Sequence, residues 1–158
     1  NADGILWFTQ RVWPILKRRG FNDNIYVVGK WEKDIKQLIN SKCSSVQFTG
    51  FIEDVHSFIN GKITIVPIRI GSGMRMKILD AMAAVSPIVT TSKGCEGLPL
   101  TNGSDCFIAD KEEEFCNCIM NLKSDIQLQK QMVSNCSNKL HTILDSQQLI
   151  ETRLSFYQ

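Results

Sequence analysis

The residues best equipped for chemistry lie in one run, VPIRIGSGMRMKILDAMAAV, at positions 66–85. A strand-like apolar stretch enters Gly71-Ser72-Gly73 and continues into an apolar helix. Glycines at such a junction allow positive φ and close approach of the backbone to a ligand. The first N–H groups of a helix are unpaired and sit at the positive end of its dipole, a seat for phosphate. Arg75 and Lys77 stand in that first turn, opposing the dipole, a placement that makes most sense beside a bound anion. Neither common phosphate signature is present: the third glycine of the dinucleotide fingerprint is missing, and no Gly-Lys-Ser/Thr closes a P-loop. A tight strand-to-helix turn would use the same glycines.

Asp80 adds a second chemical group. Ile78, Leu79, Ala81, Met82, Ala83, Ala84 and Val85 surround it, so the helix reads as apolar on nearly every side and buried. A buried carboxylate needs a partner, because desolvating the ion is costly. Two partners are open: Lys77 at i−3, or a ligand diol that an ionised carboxylate can hold through both oxygens. Helical side chains lean toward the N-terminus, so Asp80 is expected to point back toward the glycine loop. A ribose behind a phosphate seat fits that placement.

These residues need a scaffold of strand ends. Apolar runs at 24–29, 45–50, 62–68, 86–91 and 105–109 read as strands, and periodic segments at 4–19, 31–41, 53–60 and 74–85 as helices. Residues 111–157 read as helical throughout, with 123–158 forming the C-terminal helices. Pro14 predicts a kink or a break in the first helix. The alternation of short strands and helices predicts an α/β fold, a Rossmann-like doubly wound parallel sheet in a single domain over 1–158. Ligands of such sheets bind beyond the carboxyl ends of the strands, here after Gly29, Gly50, Pro67 and Thr91.

Composition narrows the class. The 158 residues are 43% hydrophobic and 22% charged, with a net charge of +2. That balance suits a globular domain and gives no sign of a nucleic-acid partner. The basic cluster Lys17-Arg18-Arg19 precedes Gly20 and reads as a helix C-terminus; a phosphate or membrane patch is the other reading. Six cysteines lack metal or redox spacing and fit reduced thiols in a cytoplasmic protein, and no metal site is expected. No run reaches the roughly 20 apolar residues that span a bilayer. A domain of this type ordinarily opens on a strand, so the chain reads as part of a longer one.

Four ordered segments, VQFTGFIEDVHSFI, ITIVPIRIGSGMRMKILDAMA, SPIVTTSKGCEGL and NGSDCFIADKEEEF, resemble the carboxyl-terminal domain of family 4 glycosyltransferases. These GT-B-fold enzymes transfer sugars from nucleotide-sugar donors, mostly with retention and without a metal. WFTQRVWPIL and the GSG-x-R-x-K form resemble the branch active in polysaccharide and lipopolysaccharide biosynthesis. The resemblance implies a UDP- or GDP-sugar donor and no further cofactor. It also implies an absent first strand and an absent N-terminal domain that binds a glycan or lipid-linked acceptor, at the inner face of a membrane.

The family's Glu-x7-Glu element maps to Ser72 and Asp80. Asp80 takes the place of the ribose-binding glutamate, one methylene shorter. Ser72 leaves the backbone N–H groups of Gly73 and Met74 to face the donor. Arg75 and Lys77 become candidates for stabilising the departing diphosphate, Gly50-Phe51-Ile52 for contacting the base, and Glu96 for reaching the donor or serving as an ordinary loop carboxylate. Val85 replaces the glycine that ends the family's helix, and the turn there is expected to close differently. Two other readings remain: a GT-B-like sugar-nucleotide epimerase, and a non-catalytic nucleotide-binding module.

Overall fold

The structure, a computed structural model, describes residues 2–144 apart from 44, 72 and 74. The first helical run comprises α1 (Ala2–Trp7), a π-helical turn (Phe8–Val12) and α2 (Trp13–Arg18). The accommodation expected at Pro14 is this π turn rather than a break. Trp13 N–H bonds back to Phe8 O, so the wider turn makes room for a residue with no N–H and a bulky ring.

Five strands follow, interleaved with helices: β1 (Ile25–Val28), α3 (Lys33–Lys42), β2 (Val46–Gly50), α4 (Val55–Ile59), β3 (Thr64–Val66), α5 (Met76–Ala83), β4 (Ile88–Thr90) and β5 (Phe107–Ile108). Two helices, α6 (Glu112–Ser124) and α7 (Ile126–Leu144), close the described chain. Positions 145–158, the end of the expected C-terminal helices, lie outside the described residues. The strands are shorter than expected where their ends leave the ladder. Pro67 offers no N–H, and Ile68 O is taken by the Thr91 hydroxyl instead of a strand. Lys17 and Arg18 occupy the last turn of α2, and Arg19 reaches Asn117 and Glu113 on α6. Arg19 therefore fastens the end of α2 to α6.

All strand pairs are parallel, as a doubly wound α/β fold requires, but the ladder falls into two parts, β1–β2 and β3–β4–β5. Alternate residues of the second part feed opposite layers. Ile65, Val89 and Phe107 pack with Trp7, Phe8, Trp13 and Phe115, whereas Val66, Ile88 and Ile108 pack with Ile78, Met82 and Cys136. Period-2 alternation of apolar residues into two cores means helices cover both faces.

Between β1 and β3 lies a cleft of about 1050 Å³. Consecutive residues of both strands, 25–28 and 63–66, line it. Successive side chains in a strand point to opposite faces, so lining by every residue means the strands' edges, not one face, border the space.

The end of α5 corrects an expectation. Val85 adopts φ +56°, the conformation a glycine would take, and among the described non-glycine residues it alone has positive φ. Ser86 N–H reaches Ala81 O at 3.0 Å and Val85 N–H reaches Met82 O at 3.2 Å. These two bonds make a Schellman closure. The turn closes as it would with glycine, with a β-branched residue strained into it.

Candidate functional site

The loop leaving β3 is clamped from two sides. A Cβ on Gly4 of α1 would lie 2.1 Å from Pro67 O, so the helix sits directly on the loop. Opposite, a Cβ on Gly94 would meet Thr90 Oγ1 at 2.2 Å and Val66 O at 2.9 Å. Only a residue without a side chain lets the segment after β4 lie over the end of β3. Thr91 completes this junction, its hydroxyl accepting from Gly94 N–H at 2.9 Å.

Gly71 and Gly73 take φ of +121° and +107°, which brings the chain sharply into α5. Ser72 and Met74, both expected to face a donor, lie outside the described residues. No side chain among the described residues caps the start of α5, so its first N–H groups are available to an anion. Arg75, at the cap position, is buried, with a side chain 6% exposed. Its Nη2 donates to Glu96 Oε2 at 2.9 Å, while its Nε has no hydrogen-bond partner among the described residues. Lys77 is exposed, faces the large cleft, and forms no ion pair among the described residues.

Asp80 departs from the buried setting and the Lys77 partner expected for it. The helix buries one face, through Ile78, Ala81 and Met82, and is not apolar all round. Asp80 lies on the flank, its side chain 39% exposed, with Oδ1 3.2 Å from His56 Nε2 on α4. Lys77 is not its partner. The contact engages one carboxylate oxygen, and Asp80 borders the large cleft with Lys77.

Gly50 ends β2 with φ +72°, and the adjoining Phe51 is 73% exposed, an open aromatic face beside half-buried Ile52. Glu96 is exposed, and both its oxygens accept from Lys93 Nζ, at 2.9 and 2.7 Å. The bond from Lys93 holds its carboxyl below the usual glutamate range, with Arg75 adding to the effect. The structure thus joins Arg75 to Glu96 and Asp80 to His56. It leaves Lys77 apart from both pairs. Sequence reasoning missed His56 and Gly94, since each depends on a contact across two βα units, and Lys93, which gains significance only because its partner Glu96 also meets Arg75. No cluster of three metal-ligating side chains forms among the described residues. All six cysteines are free, with burial pushing the Cys116 and Cys136 thiols up to about 11.

The fold is a Rossmann-like α/β layer, and its polar residues gather beyond the strand ends where such layers bind ligands. The chain belongs to the family described as Glycosyl transferases group 1, whose model matches residues 1–125. It is 24% identical over 160 residues to the "Uncharacterized 44.6 kDa protein in cps region" of Klebsiella pneumoniae. That match spans 96% of this chain and 41% of the relative, so the chain covers less than half of the curated relative's length.

Among solved structures it is similar to the C-terminal domain of the group 1 glycosyl transferase LpcC from Francisella tularensis. The TM-score is 0.73 at 19% identity, over 90% of this chain and 80% of that one. Anabaena HepE, solved with UDP and glucose, matches with a TM-score of 0.68 at 18% identity, over 84% of this chain and 40% of that one. S. aureus TarM, in a complex containing UDP, matches with a TM-score of 0.73 at 11% identity, over 98% and 32% of the two chains. No described helix is long and apolar enough to cross a membrane.

Proposed function

We propose that the chain is the donor-binding domain of a glycosyltransferase that takes a UDP- or GDP-sugar. Buried Arg75 at the uncapped start of α5, with an unpaired Nε, is the observation that carries this reading. A guanidinium out of water with a donor unsatisfied is costly unless an anion completes it. In this reading the diphosphate sits at the start of α5 beside Arg75, the ribose on Asp80, and the base against Gly50, Phe51 and Ile52. Gly71 and Gly73 form the wall of the diphosphate seat, and Lys77 contributes its charge from the rim.

The chemistry follows from charge. As the bond from the anomeric carbon to the diphosphate breaks, the departing oxygen keeps the electron pair. Arg75 and the helix N–H groups are placed to stabilise it. The acceptor hydroxyl forms the new bond and gives up its proton elsewhere. The acceptor, a polysaccharide or lipid-linked glycan, belongs to a separate domain, and the reaction is retaining and metal-independent, in a cytoplasmic enzyme at the membrane face. Relatives longer than this chain support that division. The cleft bordered by the edges of β1 and β3 is where a further parallel strand would join the two halves of the sheet.

Titration of UDP, GDP and their 2′-deoxy forms into wild type and Asp80→Ala tests the assignment. Asp80→Ala should weaken the ribonucleotides about tenfold and erase most of their advantage over the deoxy forms. Unchanged ribonucleotide binding would remove Asp80 from the site.

A further inference from the structure

We propose that Arg75 and Lys93 form a two-cation seat for the donor's diphosphate, and that Glu96 is its resident counter-ion, displaced when the nucleotide binds. The inference rests on the donor-binding reading above and adds two residues to it.

Lys93 and Glu96 lie on the segment after β4, and Arg75 lies after β3. They meet on one atom: Glu96 Oε2 accepts from Arg75 Nη2 at 2.9 Å and from Lys93 Nζ at 2.7 Å. Two cations from separate strand ends thus converge on a single anionic oxygen, the arrangement a phosphate oxygen requires. Nε and Nη2 form one edge of a guanidinium, and that edge binds carboxylates or phosphates with two parallel bonds. Glu96 fills half of it; among the described residues Nε is left without a partner. The occupant seen is therefore a poorer fit than the edge can accept.

Glu96 is also easy to displace. Its side chain is 54% exposed, whereas that of Arg75 is 6% exposed, so on leaving Arg75 the carboxylate returns to water at little desolvation cost, whereas the guanidinium stays buried for a new anion. A simple structural tether would need the pair to hold the loop, but other bonds already do. Thr91 ties to Ile68 O, Cys95 N–H to Thr91 O at 3.3 Å, and Leu98 N–H to Cys95 O at 3.0 Å. Ser92 binds Asp110 through its N–H at 2.9 Å and its hydroxyl at 2.5 Å. The small cleft beside Arg75, lined by Val66, Ile68, Lys77 and Gly94, adjoins the start of α5. An anion replacing Glu96 would therefore reach the helix N–H groups as well.

The test is calorimetric titration of UDP, GDP, UDP-glucose and inorganic pyrophosphate into the intact protein and its Glu96→Gln, Lys93→Gln and Arg75→Gln variants. Glu96→Gln should bind pyrophosphate and both nucleotides about three- to tenfold more tightly, because the competing carboxylate is gone. Lys93→Gln should bind all of them several-fold more weakly. Weaker or unchanged pyrophosphate binding by Glu96→Gln would overturn the counter-ion role. Loss confined to UDP-glucose would do the same and place Glu96 on the sugar. Unchanged binding by Lys93→Gln would overturn the two-cation seat. Unchanged binding by Arg75→Gln would instead remove the donor seat itself. Glu96 is solvent-exposed and Lys93 half-exposed, so both variants are expected to fold, and thermal melts verify it.

Discussion

Two charged side chains are buried among the described residues, and they are treated in opposite ways. Asp105, 3% exposed, accepts from Lys139 Nζ at 2.6 Å, Thr101 N–H at 2.7 Å and Ser104 Oγ at 3.1 Å. It ties α7 to the loop before β5, and its hydrogen-bonding capacity is well used. Arg75, 8% exposed, has one bond to a water-exposed carboxylate and an unsatisfied Nε. A buried charge surrounded by partners holds structure. One left incomplete at the end of a strand is where the proposed diphosphate would bind.

Removing the cation from each pair sharpens the contrast. Lys139→Met should strand Asp105 as an uncompensated buried charge and destabilise the fold by about 3–5 kcal/mol. Denaturant titration reads that loss, and pyrophosphate affinity should not change. Arg75→Met should behave inversely: binding falls at least about tenfold, while stability holds or rises because an unsatisfied buried donor is gone. A large stability loss in Arg75→Met would break the comparison and return Arg75 to a structural role.

Acid should separate the pairs as well. Burial alone would raise the Asp105 carboxyl, but the bonds from Lys139, Thr101 and Ser104 outweigh it and leave its pKa below the usual aspartate range. A depressed folded-state pKa gives stability that is present above the unfolded pKa and lost as pH falls through the folded value. Stability should therefore decline as pH drops below about 4, the ordinary aspartate range. Lys139→Met should flatten that decline. The smallest effect concerns the far end of α5. Val85→Gly should stabilise the protein by about 1 kcal/mol by relieving the left-handed valine at φ +56°. No gain in melting temperature would mean that the strain is absorbed elsewhere.

Much of the fold was legible without coordinates. β-branched runs followed by periodic segments reported each βα unit, because side-chain period reflects local backbone geometry. The Gly71–Gly73 turn was legible for the same reason, since glycine marks a positive φ that other residues resist. The helix-terminating turn at Val85 was misread, because the pull of neighbouring helix and strand imposed on valine a conformation its own chemistry disfavours. Asp80 was misread because an apolar count around a helix cannot say which side meets a neighbour. Only the placement of α4 brings His56 to it.

The local alphabet of this chain thus determined its elements, its parallel α/β class and the strand end proposed as the donor site. Tertiary structure alone decided the pairings that give the site its character: Arg75 with Glu96 across 21 residues, Asp80 with His56 across 24, and Gly94 against the end of β3. Such contacts depend on where the chain returns after each crossover, and no periodicity within a single segment encodes that distance.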